Sequence, residues 1–408
     1  MRCKVCDNAK LEVLIDLGIQ PVAHNYLKSK YDNDIVTHLL KLHYCKKCGF
    51  AQINEPIPPE KLYMEYNYCF SAWKPEPHIS AELDLLDKYV GNKNVSILEI
   101  GCNDGVFFGP LKKRGYKRIV GVEPNGCAAA DASKWGIRVL NMLFSEDTVN
   151  MIRSEVGGVD IVVLRQVLEH ISDLNGFFKA VDQVYDTQGE KMLFLEVPDF
   201  SKALESADCS TIWEEHPNYF TTTTLEIMLI RYGYVPIVWD YYNFSGGAIC
   251  VLAKKMYNTD YKSRMMPVDC SIYKTFAERV FDYREVLVTT LKKAREKGYR
   301  IELYGTGSRA CTLVNGLCIG DLIDGAIDDQ PEKDGLFMPG CRLEIKSFDE
   351  TMNKYINCRM VILLAVNNES EDMVVNKIHS RRKDILIASL FSPKIIKDQV
   401  EMLNKSLQ

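Results

Sequence analysis

The sequence predicts an α/β chain in three parts: a small cysteine-bearing module over residues 1–75, a parallel α/β domain over 76–256 and a second α/β domain over 257–408. Three observations predict it. Paired cysteines sit at the front, where helical or strand periodicity is weak and turn formers such as Pro56-Ile57-Pro58-Pro59 recur. From about 78 to 255 an amphipathic HISAELDLLDKYV leads to an apolar VSILEI, a glycine turn, a helix and IVGVE, the alternation a parallel sheet requires. A polar helical stretch ending TTLKKAREKG then leads to another strand–turn–helix opening, RIELYGTGSRACTLVNGL.

Composition narrows the function. The 408 residues can bury two or three cores. With 50 Lys+Arg against 55 Asp+Glu and a net charge of −5, the broad basic excess of a nucleic-acid binder is missing. No run approaches the ~18 uncharged apolar residues of a membrane span, and MRCKVCDNAK lacks the apolar core of a signal peptide, so a cytoplasmic location and no membrane partner are expected. In that setting the 14 cysteines read as reduced thiols or metal ligands rather than a disulfide framework.

Cys3-Lys4-Val5-Cys6 and Cys45-Lys46-Lys47-Cys48-Gly49 form two C-x-x-C pairs with a long stretch of chain between them. Two such knuckles can place four thiolates around one tetrahedral Zn²⁺, and the glycine after Cys48 suits a tight turn aiming backbone N–H groups at sulfur. With all four positions filled by Cys3, Cys6, Cys45 and Cys48, the expected metal is structural; four ordinary reduced cysteines are the alternative.

In the second part, Val95-Ser96-Ile97-Leu98-Glu99-Ile100-Gly101-Cys102-Asn103-Asp104-Gly105 reads as a buried strand running into a glycine turn that lets backbone approach a ligand. The next strand ends at Glu123, where an acid can accept both hydroxyls of a ribose. The turn is shorter than the G-x-G-x-x-G that holds a pyrophosphate, favouring a nucleoside without phosphates. A Rossmann-like domain binding NAD, or nothing, is the bland alternative. This pattern resembles the class I S-adenosylmethionine methyltransferases, and Val159–Ile171 fits their fourth strand and the turn beneath the methionine part of the cofactor. The resemblance implies that Glu99, Gly101, Asn103, Asp104, Gly105, Glu123 and Gln166 hold S-adenosylmethionine.

A narrower resemblance covers almost the whole chain. The zinc knuckles, Leu17-Gly18-Ile19-Gln20-Pro21, Glu99–Gly105, Leu195-Glu196-Val197-Pro198, Asp328-Asp329-Gln330-Pro331-Glu332-Lys333-Asp334-Gly335 and Met338-Pro339-Gly340, in that order, resemble the C-methyltransferases of nucleotide-linked keto-sugars in deoxysugar biosynthesis. That family's catalytic segment is Tyr-x-Glu-His followed by an aromatic pair, after the fifth strand; here it is Trp213-Glu214-Glu215-His216-Pro217-Asn218-Tyr219-Phe220. The resemblance implies that His216 is the base and Glu215 its acidic neighbour, with Trp213 in the place of the tyrosine.

The chemistry asks for the same groups. A base must remove a proton from carbon beside a ketone, leaving an enolate to attack the methyl sulfonium; a histidine suits this, and a neighbouring carboxylate can fix its tautomer or hold substrate hydroxyls. Trp213 can donate its indole N–H to the developing oxyanion but cannot exchange a proton, so either another group supplies the acid or the substrate differs. His216 as a helix cap or surface residue, and His170 as a second base or as packing on the cofactor side, are the competing assignments. Tyr63, Tyr66, Tyr68 and Phe70, ahead of Ser71, resemble the segment that leans over the sugar in the family, or else pack as core; Tyr66, Tyr68 and Ser71 are the expected substrate contacts. Ser245-Gly246-Gly247 resembles the family's His-Gly-Gly turn without its histidine, or marks a strand bend.

In the third part Gly305-Thr306-Gly307-Ser308-Arg309-Ala310 follows a strand, and Asp328 ends the next strand, a dinucleotide fingerprint when taken alone. The family resemblance instead implies a Rossmann-like domain that helps enclose the nucleotide-sugar, making Ser308, Arg309 and Lys333 candidate phosphate contacts; a scaffold is the third possibility. The chain is thus expected to be a zinc-bearing monomer that methylates a carbon of a nucleotide-linked keto-deoxysugar. The rivals are an oxygen methyltransferase and a zinc- and nucleotide-binding scaffold without turnover.

Overall fold

Strand β4 (Ser96–Ile100) is buried at every position. Its side chains alternate between two cores, Ile97 facing one and Leu98 and Ile100 the other. Strand β7 (Ile161–Arg165) does the same, with Ile161 and Val163 on one face and Val162 and Leu164 on the other. Strands covered on both faces read as unbroken apolar runs, which is why SILEI and IVVLR lack polar alternation. In the computed structural model, which describes residues 1–33, 35–58, 62, 76–186, 188–256, 269–391 and 403–407, these strands form the centre of a seven-stranded sheet.

The sheet runs through β10 (Tyr234–Tyr242), β11 (Ala248–Lys255), β8 (Met192–Pro198), β7, β4, β5 (Arg118–Val122) and β6 (Arg138–Leu140). From β8 to β6 all neighbours are parallel; β11 lies antiparallel to β8, and β10 antiparallel to β11. The chain enters at β4, winds outward through β5 and β6, then returns to β7 on the other side. A switch point therefore falls between the carboxyl ends of β4 and β7, where open α/β sheets bind ligands. One core takes Ile79, Leu83 and Leu86 from helix α1 (Ile79–Val90) and Leu111 from α2 (Phe108–Lys113). The other takes Phe177, Phe178 and Val181 of the helix Leu174–Val184 and Leu225 and Met228 of the helix Thr222–Arg231.

The chain divides into two compact units. The first joins Met1–Leu11, Cys45–Phe200 and Glu215–Val268; the second joins Glu12–Tyr44, Ser201–Glu214 and Asp269–Gln408. The division cuts through the expected N-terminal module rather than around it. Cys3, Val5, Cys6, Cys45, Cys48 and Phe50 share one apolar cluster with Leu98, Val162 and Phe220 of the large sheet's unit, so the knuckles have no separate core. Strand β3 (Ala51–Ile53) pairs antiparallel with β9 (Asn218–Tyr219) in that unit.

The second unit contains the neighbouring strands β1 (Leu11–Pro21) and β2 (Thr37–Cys45) and a parallel sheet. Its order is β14 (Ile345–Lys346), β13 (Gly325–Ile327), β12 (Arg300–Tyr304), β15 (Met360–Leu364), β16 (Leu386–Ser389). The 26-residue helix Ser271–Glu296 buries Phe276, Val280, Leu287, Leu291 and Ala294, the three-and-four spacing of one helical face. Both expected Rossmann-like folds are present. Among the described residues no helix is long and apolar enough to cross a membrane.

Candidate active site

The metal site assembles as its spacing predicts. Sγ of Cys3 lies 3.6 Å from that of Cys48, and Cys6 Sγ lies 3.6 Å from Cys45 Sγ. Four sulfurs about 2.3 Å from a tetrahedral zinc stand about 3.8 Å apart, so the cage fits the ion. Asn8 Nδ2 and the backbone N–H of Lys47 each donate to Cys45 Sγ at 3.4 Å, supplying the outer donors that steady thiolates. Hydrogen bonding among the four thiols divides them, lowering Cys45 and Cys6 and raising Cys3 and Cys48. Gly49 takes the expected left-handed turn at φ +75°, but its N–H closes on the Cys45 carbonyl at 2.8 Å rather than on sulfur. The site is structural zinc.

The glycine turn after β4 is built for close approach. Gly101 has φ +69°, and a Cβ there would meet Val167 Cγ2 at 2.5 Å; Gly105 has φ +77°, and a Cβ there would meet the Phe108 and Trp135 rings at 2.8 and 2.9 Å. Asn103 is itself left-handed at φ +46°. Its N–H donates to Glu123 Oε2 at 2.9 Å, while Asn125 N–H donates to Glu123 Oε1 at 2.8 Å. Each oxygen of the acid thus holds one backbone N–H and keeps lone-pair capacity for a ribose hydroxyl. Burial raises the Glu123 carboxyl above its usual value, against those two hydrogen bonds. Asn125 also caps the helix Gly126–Ser133, its side chain accepting from Ala128 N–H at 3.0 Å.

Glu99 and Asp104 are buried beside this turn. Burial pushes the Glu99 carboxyl up to about 8, opposed by Arg165 and reinforced by Glu76, Glu123 and Asp104. Its Oε2 has no hydrogen-bond partner among the described residues. An orphaned buried carboxylate oxygen next to a glycine cradle fits a cationic nucleoside such as S-adenosylmethionine. Gln166, at the end of β7, is held at φ +53° with its N–H on the Glu196 carbonyl at 2.9 Å. Two non-glycine residues in the left-handed region thus flank the switch point, a strain that clusters where ligands bind.

Just beyond β7, the turn Leu168–His170 brings His170 against His216, ring centroids 4.6 Å apart and planes at 87°. His170 Nδ1 donates to the Glu215 carbonyl at 2.8 Å. Asn218, at the start of β9, ties the turn by donating to the Leu168 and Ile171 carbonyls at 3.2 and 2.7 Å. His216 and Glu215 are both buried, so neither is a surface residue. Trp213 is half-buried and belongs to the second unit, where the neighbouring Glu214 accepts from Ala23 N–H at 2.6 Å. Tyr66, Tyr68 and Ser71, with Tyr63 and Phe70, lie outside the described residues.

Sequence reasoning missed a buried charge network. Arg165 Nε donates to Glu82 Oε2 at 2.9 Å, and its Nη2 contacts Glu76 and, at 3.3 Å, Glu196. Its guanidinium also lies over the Phe107 ring at 4.7 Å. Glu196 Oε1 is 2.9 Å from His78 Nε2, and His78 packs against Phe244 and Tyr242 at 4.5 and 5.0 Å. Burial drives both carboxyls upward; for Glu82 it wins, whereas Arg165 and His78 hold Glu196 below its usual value. The available signal was a charge in the last residues of each of two otherwise apolar strands, Arg165 closing IVVLR and Glu196 near the end of MLFLEVP.

In the second unit every candidate phosphate contact has a partner. Ser308 Oγ lies 2.6 Å from His24 Nε2. Arg309 donates to Asp208 at 2.7 Å, Ser210 at 3.1 Å and Asn367 at 3.2 Å. Lys333 Nζ donates to Asp328 Oδ2 at 3.0 Å, and that oxygen also accepts from Thr306 N–H and Oγ1 at 3.1 and 2.6 Å. A substrate phosphate would compete with Asp208 for Arg309 and with Asp328 for Lys333.

Comparison with known proteins follows this layout. A zinc binding domain model matches residues 3–63, a methyltransferase domain model 73–237, and a C-methyltransferase C-terminal domain model 246–385. The C-methyltransferase NovU of Streptomyces niveus is 25% identical over 361 residues, 85% of each chain. Among solved structures, the 1,6-didemethyltoxoflavin-N1-methyltransferase of Burkholderia thailandensis aligns at 14% identity and TM-score 0.37, over 55% of this chain and 97% of that one. A SAM-dependent methyltransferase of Archaeoglobus fulgidus aligns at 17% identity and TM-score 0.36, over 47% and 100%.

Proposed function

The chain is an S-adenosylmethionine-dependent methyltransferase carrying, in order, the zinc binding, methyltransferase and C-terminal domains of the C-methyltransferases, and from that premise we propose that it methylates the carbon beside the keto group of a nucleotide-linked deoxysugar. The observation that carries the reading is the His216–His170–Glu215 constellation just beyond the carboxyl end of β7, the strand beside the glycine cradle. A proton on carbon next to a ketone is weakly acidic, and a base must be held against it. His216 takes that role. The Glu215 carbonyl fixes His170 as an Nδ1–H tautomer, and the edge-to-face contact between the rings fixes the orientation of His216.

S-adenosylmethionine supplies an electrophilic methyl group. Glu123 would accept its ribose hydroxyls, the Gly101–Gly105 turn would leave room for its close approach, and Glu99 would balance its positive charge. His216 removes the proton, and the substrate oxygen gathers negative charge that Trp213 is assigned to meet with its indole N–H. Ser308, Arg309 and Lys333 are the residues assigned to the substrate's phosphates, and Tyr66, Tyr68 and Ser71 those assigned to its sugar.

The test is mass spectrometry of protein incubated in D₂O with a panel of nucleotide-linked 4-keto-6-deoxysugars, with and without S-adenosylmethionine. Deuterium uptake without the methyl donor, and one methyl on carbon with it, is the expected result. His216→Asn loses both by on the order of 10²–10⁴-fold while keeping cofactor affinity. Full exchange in that variant, or a methyl located on oxygen, overturns the reading.

A further inference from the structure

Glu169 is buried beside the two imidazoles, yet proton abstraction gives it no part. One donor atom each from Glu169, His170 and His216 lies within 4.8 Å of the other two. The two imidazole rings meet edge to face with centroids 4.6 Å apart. His170 Nδ1–H on the Glu215 carbonyl leaves Nε2 as its remaining donor, the outer-shell arrangement typical of metal-bound histidine. A second group, His78, Glu82 and Glu196, is equally compact, but its carboxylates already hold the Arg165 guanidinium.

We propose that Glu169, His170 and His216 form a second metal site, separate from the four cysteines, that takes a divalent transition cation such as Zn²⁺ or Co²⁺. Two imidazoles and one carboxylate select these ions over Mg²⁺ or Ca²⁺, which prefer oxygen throughout. Three protein donors leave coordination positions for water or a substrate oxygen. A bound ion occupies the His216 lone pair, so metal and proton abstraction compete; this consequence, unlike the site itself, rests on His216 being the base.

The experiment titrates Co²⁺ into the full chain carrying its cysteine-bound zinc, following visible absorption and total metal content. One further equivalent, with bands lacking the thiolate-to-cobalt charge transfer of a cysteine site, is expected. Glu169→Gln and His170→Gln each weaken that equivalent at least about tenfold while retaining the one zinc, which confirms folding. Absence of a second equivalent at millimolar Co²⁺, or unchanged affinity in Glu169→Gln, overturns the site. Deuterium exchange runs in parallel: if the bound ion stops exchange, site and base both stand, and if exchange persists with the ion bound, the site stands and the base assignment falls.

Discussion

Two glycine turns in this chain share a pattern and differ in what fills the acid behind them. After β4, Glu123 is held by the neutral N–H groups of Asn103 and Asn125, one per oxygen. After β12, Asp328 Oδ2 takes the Thr306 N–H, the Thr306 hydroxyl and the Lys333 ammonium, and Oδ1 takes Gln330 N–H at 3.0 Å. The first acid is positioned and still able to accept; the second is neutralised by its own chain. A strand, a glycine turn and an acid therefore describe a backbone, and the side chains around the acid decide whether a ribose can use it.

Substitutions at the two acids separate these roles. Glu123→Ala is expected to weaken S-adenosylmethionine on the order of a hundredfold, read by calorimetry, because two hydrogen bonds to a charged acceptor disappear. Asp328→Ala should leave that affinity unchanged and instead cost about 2 kcal/mol of stability in urea unfolding, since Lys333 loses its partner; a loss of cofactor affinity would break the contrast. Glu99 sharpens it through pH. Its carboxyl is raised to about 8, so it is largely protonated at pH 6 and ionised above pH 8; a cationic ligand favours the ionised form. Affinity for S-adenosylmethionine should rise about tenfold between pH 6 and 8.5, and Glu99→Gln should flatten the profile. The smallest effect is the most discriminating: millimolar NAD should leave the melting temperature unchanged, and a saturable rise that Asp328→Ala removes would give the second turn a nucleotide after all.

Local features were legible in the sequence. Cys3, Cys6, Cys45 and Cys48 meet because C-x-x-C spacing aims two sulfurs at one point, and Glu123 reaches Asn103 because parallel neighbours bring consecutive strand ends together. Long-range placement was not. Nothing in the order of residues along the N-terminal stretch signals that its cysteines share the core of the large sheet while 12–44 belong with the other unit, for that depends on which buried surface each piece finds. The Arg165 network was equally hidden, since the stretch with Glu76 and Glu82, Arg165 and Glu196 are far apart in the chain and become partners only after folding. The pairing of His170 with His216, far apart in the chain, has the same origin.

Cys6 and Cys45, with sulfurs 3.6 Å apart, stand at the departure and the return of the chain excursion between them. In mechanical terms the zinc is a rivet across the neck of that loop. Chelation removes the rivet and leaves the return of the chain held by the pairing of β3 with β9, Ala51 with Tyr219 and Gln52 with Asn218, a strand that His216 precedes by a single proline.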